Sequence, residues 1–176
     1  PFSWRDGDKF DNRMAKGLTD TLLKFNDSRI TMYANPTSSS VSEGVPSYVG
    51  IPSGMFDVDV NIFNGGTQFQ SYMNKRYFST LDFKHPVMQY SELQFILAES
   101  SLNGWINGPA EQYYLKGVSA SFSYHGVAPY SNYYEQSVVK LSGNPEIAIK
   151  QILIQKWIAF FNTGMEAYFE YRRTGI

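Results

Sequence analysis

Carboxylates, amides and aromatics are the side chains here from which a site could be built. Cysteine is absent from the 176 residues, which removes disulfides, thiolate nucleophiles and zinc–thiolate sites together. The two histidines, His85 and His125, have no ligand spacing between them, so no histidine metal site is expected. Asp57-x-Asp59-x-Asn61 supplies the first three ligands of a calcium loop. The sixth position is then Ile62 instead of Gly, and the twelfth is Gln68 instead of Glu. Asp6, Asp8 and Asp11 fail in the same way. Both groups read as the polar face of a strand or a solvated turn, and only a calcium ion assembled from distant oxygens stays open. No Gly-x-Ser-x-Gly elbow occurs, and Ser123-Tyr124-His125 reads as a helix end. Glu92 and Glu99 stand two helical turns apart and Glu166 and Glu170 one turn apart, which suits salt bridges at least as well as acid–base work. Asn64-Gly65-Gly66-Thr67 lacks the lysine and the helix of a phosphate loop. The expectation is no catalytic residue, no resident metal and no cofactor.

Binding chemistry is better supplied. Aromatics make up 16% of the chain, with 13 Tyr, 13 Phe and 3 Trp. Such rings stack on flat ligands or sugar rings and also fill cores and interfaces. Tyr72, Lys75, Arg76 and Tyr77 interleave basic and aromatic residues as a single-strand nucleic-acid groove would. A formal charge of -1 lacks the footprint of a duplex binder and argues against any nucleic acid.

These residues need elements to hold them. A hydrophobic fraction of 43% with 18% charged residues describes a folded chain, and no apolar run is long enough for a membrane helix. The chain begins at Pro1 without Met or signal peptide and ends at Ile176 after a Thr-Gly helix stop, so a fragment of a longer protein is expected. Residues 1–85 read as loop-rich, with one helix and short strands. Phe10, Met14, Leu18, Leu22 and Phe25 recur at helical spacing and predict a helix over 11–25. Ile30 to Tyr33 reads as a short strand, and 35–54 is so dense in Pro, Gly and Ser that a long surface loop is expected. Phe56, Val58, Val60 and Ile62 alternate with Asp57, Asp59 and Asn61, which predicts a half-buried strand.

Residues 86–176 read as four helices in two hairpins, within the same domain. Ser91 with Gln94 is a candidate capping box for a helix to about Asn103, stopped by Gly104. Pro109 suits the first position of a helix to about Tyr124, closed by Gly126. Asn144-Pro145 is an N-cap and first turn for a helix to about Phe161. That helix is apolar nearly all round, so it should lie buried between neighbours, with Trp157 and Phe160 in the core. Thr163 with Glu166 is a second candidate box, opening a helix to about Arg173 that ends on Gly175.

Pro86-Val87-Met88-Gln89-Tyr90-Ser91-Glu92-Leu93-Gln94-Phe95-Ile96-Leu97-Ala98-Glu99 resembles the P-x-M-x-Y-[AS]-E-x-x-F-x-x-A-E segment of the SusD/RagB family. Gly104-Trp105, Ala110 to Tyr114, Gln155 to Phe161 and Glu166 to Gly175 continue the likeness. Asn26-Asp27-Ser28-Arg29 is similar to the family's Asn-Asp-Pro-Arg turn, with Ser in place of Pro. The likeness is strong over 86–176 and loose before it. It implies a mainly α fold, a SusD-like superhelix of tetratricopeptide-like hairpins with long loops and a little β. It implies a non-enzymatic outer-membrane lipoprotein of Bacteroidetes, exposed at the cell surface. Such a protein captures oligosaccharide and passes it to a SusC-like, TonB-dependent transporter. The chain departs from the family in lacking a lipobox cysteine and in being much shorter.

The family's motif residues sit on packed helices, so a glycan site would fall on the loop half. A sugar ring needs an aromatic platform with polar groups beside it. Tyr48, Phe63, Asn64, Gln68, Tyr72 and Arg76, with Asn74, are the candidates. A helical-repeat adaptor binding only proteins and an unrecognised glycoside hydrolase are the competing readings.

Overall fold

The computed structural model describes residues 12–78 and 84–175. The Asp6, Asp8 and Asp11 cluster lies outside the described residues. The chain divides into two compact units, Pro1–Phe83 and Lys84–Ile176.

In the first unit, helix α1 spans Lys16–Lys24 and buries Thr19 and Leu22. Among the described residues it starts later than its apolar spacing suggests, because Arg13 and Ala15 are occupied in bridges to Tyr72 and Ile51. Ile30–Tyr33 forms a single helical turn, α2, instead of a strand. The cause is local. The Asp27 carboxylate accepts the Arg29 backbone N–H at 2.9 Å, which bends the chain into a turn. The same carboxylate grips the Arg29 guanidinium, with Nη2–Oδ2 at 2.6 Å and both side chains 0% exposed. The expected loop after Asn35 contains helix α3, Ser38–Ser42, whose N-cap Thr37 accepts the Ser40 N–H. Ser and Thr interrupt long elements but cap short ones.

The expected strand at Phe56 to Phe63 is instead helix α4, Asp57–Ile62. Of its alternating apolar residues only Val60 is buried, while Phe56, Val58 and Ile62 are 81%, 76% and 70% exposed. Among the described residues no neighbouring strand offers this segment a ladder, and its backbone groups bond within a helical turn. Asp57 and Asp59 in the first turn favour the helix dipole. Among the described residues of this unit, pairing is confined to three isolated bridges, Arg13–Tyr72, Ala15–Ile51 and Ala34–Met73. The strands expected among residues 1–85 do not form in its described part.

The second unit is built on α5 (Tyr90–Leu102), α6 (Ala110–His125), α7 (Pro145–Ala159) and α8 (Glu166–Thr174). α5 packs on α6 and α7. Gly117 permits the first contact, since a Cβ there would lie 2.8 Å from the Phe95 ring. Phe95 meets Tyr114 edge-on at 6.3 Å. The connection between α6 and α7 is pinned from α7: Gln151 Nε2 donates to the carbonyls of Ser137 and Lys140, and Gln155 Nε2 donates to the buried Tyr133 hydroxyl at 3.0 Å.

Helix ends follow the sequence in part. Asn144 Oδ1 caps α7 by accepting the Glu146 N–H at 2.9 Å, and Gly126 and Gly175 are left-handed stops at φ 72° and 75°. The two candidate capping boxes are displaced. α5 begins two residues earlier, with Gln89 at the N-cap, and it is Glu92 that bonds back to the Gln89 backbone. α8 begins after Met165, and the Thr163 hydroxyl instead donates back to the Phe160 carbonyl. Phe160 is buried, but Trp157 is only half-buried and Ile147 is 51% exposed. α7 therefore keeps an uncovered side. No described helix is long and apolar enough to cross a membrane.

Candidate functional site

The segment after helix α4 holds five of the six expected ligand residues, all but Tyr48. Asp57, Val60 and Asn61 share one face of α4, being three and four residues apart. Arg13 lies over that face. Its Nη2 donates to Asn61 Oδ1 at 2.9 Å, and its guanidinium carbon is 5.5 Å from the Tyr72 ring centroid. The Arg13–Tyr72 bridge sets this stacking. Beside it lies a polar pocket of about 260 Å³, lined by Arg13, Asp57, Val60 and the turn at 51–55. Asp59 projects from the far side of α4, since two residues rotate a helix by roughly 200°. The calcium-like spacing therefore does not converge on a point.

The six expected residues are placed at four positions. Phe63, Asn64 and Gln68 belong to one double turn. The Asn64 backbone is left-handed at φ 56°, and its Nδ2 donates to the Phe69 carbonyl at 3.1 Å. Gln68 Nε2 donates to the Gly65 carbonyl at 3.3 Å. The buried Gln70 holds the turn to α4 through the Val60 and Phe63 carbonyls. Phe63 is half-buried, and Asn64 and Gln68 are exposed. Tyr72, half-buried, carries Arg13 on its ring. Arg76 lies 5.6 Å from the Tyr77 ring centroid, after Asn74, whose Oδ1 accepts the Arg76 N–H. Tyr48 is half-buried next to Val49, which exchanges bonds with Ser71.

Arg13, Phe56, Asp57 and Asn61 were not among the expected residues. Alternation places Phe56 on the buried face of a strand, yet it is the exposed residue before α4. Helical spacing of Asp57 and Asn61 was the available signal, and strict alternation concealed it. Arg13 is brought in by a bridge from 59 residues away in sequence, which no local pattern reports.

In the second unit, an apolar groove of about 370 Å³ runs between α7 and α8, lined by Leu153, Ile154, Trp157, Ala167, Glu170 and Tyr171. Two carboxylates of this unit, Glu99 and Glu170, are in ion pairs with Arg173 and Lys156. Arg173 forks onto Glu99 with N–O distances of 2.8 and 2.7 Å and also bonds Glu170. Glu170 accepts from Lys156 at 2.8 Å. Burial raises the Glu170 pKa, but its bonds to Arg173 and Lys156 outweigh this and hold it below the ordinary carboxylate value. Glu92 is shifted the other way. Burial raises its pKa, with Glu166 and Glu170 adding to the rise and Lys156 opposing it. Glu92 does not line the groove.

A family model described as starch-binding and associating with the outer membrane, SusD-like, matches residues 3–176. A solved SusD homologue from Bacteroides fragilis is 29% identical over 93% of this chain and 39% of its own, with a TM-score of 0.74. One from Bacteroides ovatus is 29% identical over 93% and 39%, with a TM-score of 0.76. A solved chitin-binding protein is 29% identical over 93% and 37%, with a TM-score of 0.74. The chain spans about two fifths of the length of these solved relatives. No curated protein matches it.

Proposed function

The chain belongs to the SusD-like family of starch-binding proteins that associate with the outer membrane, and from that premise we propose that it is part of a non-enzymatic, surface-exposed lipoprotein. The proposed ligand is an oligosaccharide, delivered to a TonB-dependent transporter of the SusC type. One observation in the chain itself carries the ligand reading: an exposed aromatic, Phe56, adjoins a polar pocket holding Arg13 and Asp57. Sugar rings present apolar C–H faces and a hydroxyl rim, and this surface offers a partner for each. A similar chitin-binding protein supports the same ligand class.

The non-enzymatic reading rests on the carboxylates. Glu99 and Glu170 are held by Arg173 and Lys156, and ion-paired groups are poor proton donors. The test is calorimetric titration with maltoheptaose and chitohexaose, together with a reducing-end assay. Binding without release of reducing ends is the expected result. Tyr48→Ala and Tyr72→Ala test the expected platform, each costing about 1 to 3 kcal/mol if its ring stacks on sugar, by analogy with base stacking. Full-length protein should co-purify with an outer-membrane barrel. Failure of both binding and co-purification leaves the protein-adaptor reading, which the apolar groove at Trp157 and Tyr171 favours.

A further inference from the structure

We propose that the pocket between Arg13 and Asp57 takes one neutral sugar ring through a vicinal pair of hydroxyls, with the next ring running over Phe56. The proposal rests on the glycan-binding reading and narrows it to a ligand class. A carboxylate only accepts hydrogen bonds, a guanidinium only donates them, and a hydroxyl does both. Two adjacent hydroxyls therefore satisfy both charged groups of this lining at once.

Three features favour this use over an internal role. Arg13 and Asp57 share the pocket without pairing. Arg13 is turned to Asn61 and stacked on Tyr72, and Asp57 is exposed without a hydrogen-bond partner among the described residues. Arg13 is also held in place, so little ordering remains to be done when a ligand arrives. The volume, about 260 Å³, falls just under the roughly 300–1,000 Å³ of pockets for drug-sized ligands. It suits a single ring, and a longer glycan must continue outside. Phe56 stands between the lining residues Met55 and Asp57 and is 81% exposed. A ring carrying its own carboxylate would face Asp57. The Arg13 and Asp57 charges in this lining sum to zero, so the pocket offers such a ring no net attraction to set against that repulsion.

The test uses the 176-residue chain and three probes: maltoheptaose, chitohexaose and hexagalacturonate. A neutral oligomer should bind at least about tenfold more tightly than hexagalacturonate. Asp57→Asn should weaken the neutral ligand by about tenfold, the range of a hydrogen bond to a charged group, and should narrow the gap to hexagalacturonate. Phe56→Ala should weaken the neutral oligomer by about tenfold, the range of one aromatic stack. Circular dichroism and the melting curve report whether each variant is folded. If neither neutral oligomer binds wild type, the glycan reading fails and takes this proposal with it. If one binds, and folded Asp57→Asn and Phe56→Ala both match wild type, the pocket is wrong and the glycan reading stands. Tighter binding of hexagalacturonate by wild type overturns the ligand class alone.

Discussion

Lys156 Nζ lies 2.8 Å from Glu170 Oε2, with 4% of the Lys156 side chain and 13% of the Glu170 side chain exposed. The pair joins α7 to α8, a helix that buries none of its own residues. Its exposed face carries Met165, Tyr168, Phe169 and Tyr171. α8 is therefore held by charge more than by apolar burial, through Lys156–Glu170 and Arg173–Glu99. Lys156→Met removes one of the two cations on Glu170, and Arg173 keeps the carboxylate paired. The second unit should lose about 1 to 3 kcal/mol, the range of a hydrogen bond to a charged group. Two of the three tryptophans, Trp105 and Trp157, lie in this unit, so urea unfolding followed by fluorescence reads the effect. A loss below about 1 kcal/mol would mean that α8 is held by something else.

The same cluster sets a pH dependence. Glu170 has a lowered pKa, so its stabilisation is complete above the unfolded value near 4.5 and disappears as pH falls through the lower, folded value. Glu92 has a raised pKa. Ionised, it costs stability above its folded value, and the cost vanishes as pH falls towards 4.5. Glu92→Gln should therefore stabilise the second unit at pH 7, by under about 1 kcal/mol because the group is half in solvent. The amide oxygen can still accept the Gln89 N–H. Melting at pH 7 and pH 4 checks the sign: the gain should be present at the first and absent at the second.

Legibility in the sequence divided along the same physical line. α6 and α7 were readable because proline, glycine and Asn144 mark their ends and local chemistry decides helix ends. α4 differs from its expected strand because period-two alternation over seven residues fits a strand, and the described residues offer it no neighbour to pair with. The turn at Asn26 to Arg29 was noticed as a motif. That Arg29 is 0% exposed was not foreseen, since burial of a charge depends on everything packed around it. The expected glycan residues at Phe63, Asn64 and Gln68 form one local turn, whereas Arg13 comes from a distant segment.

Two glycines offer a contrast within helices. Gly17 in α1 has nothing within 4 Å of an added Cβ, so Gly17→Ala should stabilise by up to about 1 kcal/mol through helix propensity. At Gly117 the added Cβ meets three Phe95 ring atoms at 2.8 to 3.0 Å, and Phe95 is 0% exposed. Overpacking costs about 1 to 3 kcal/mol, which cancels or exceeds the same propensity gain. Gly117→Ala should leave stability unchanged or lower it by up to about 2 kcal/mol. Thermal melts of the two variants should move apart, and a stabilised Gly117→Ala would show that α5 and α6 can separate freely.

The Asp27–Arg29 pair makes the strongest demand on the first unit. Both side chains are 0% exposed, and one carboxylate takes the Arg29 Nε at 3.0 Å, its Nη2 at 2.6 Å and its backbone N–H at 2.9 Å. Neither charge can turn to water when the other is removed. Asp27→Asn keeps the size and one acceptor but leaves a guanidinium buried without its counter-charge. The expected loss is about 3 to 5 kcal/mol. Tryptophan fluorescence would under-report it, since Trp105 and Trp157 belong to the other unit. Hydrogen exchange is the better probe, read at the Tyr33 and Ala34 amides that bond to the Arg29 and Ile30 carbonyls. Faster exchange there, with amides of α5 and α6 unchanged, would place the loss in the first unit. Exchange at wild-type rates would show that the turn stands without its ion pair.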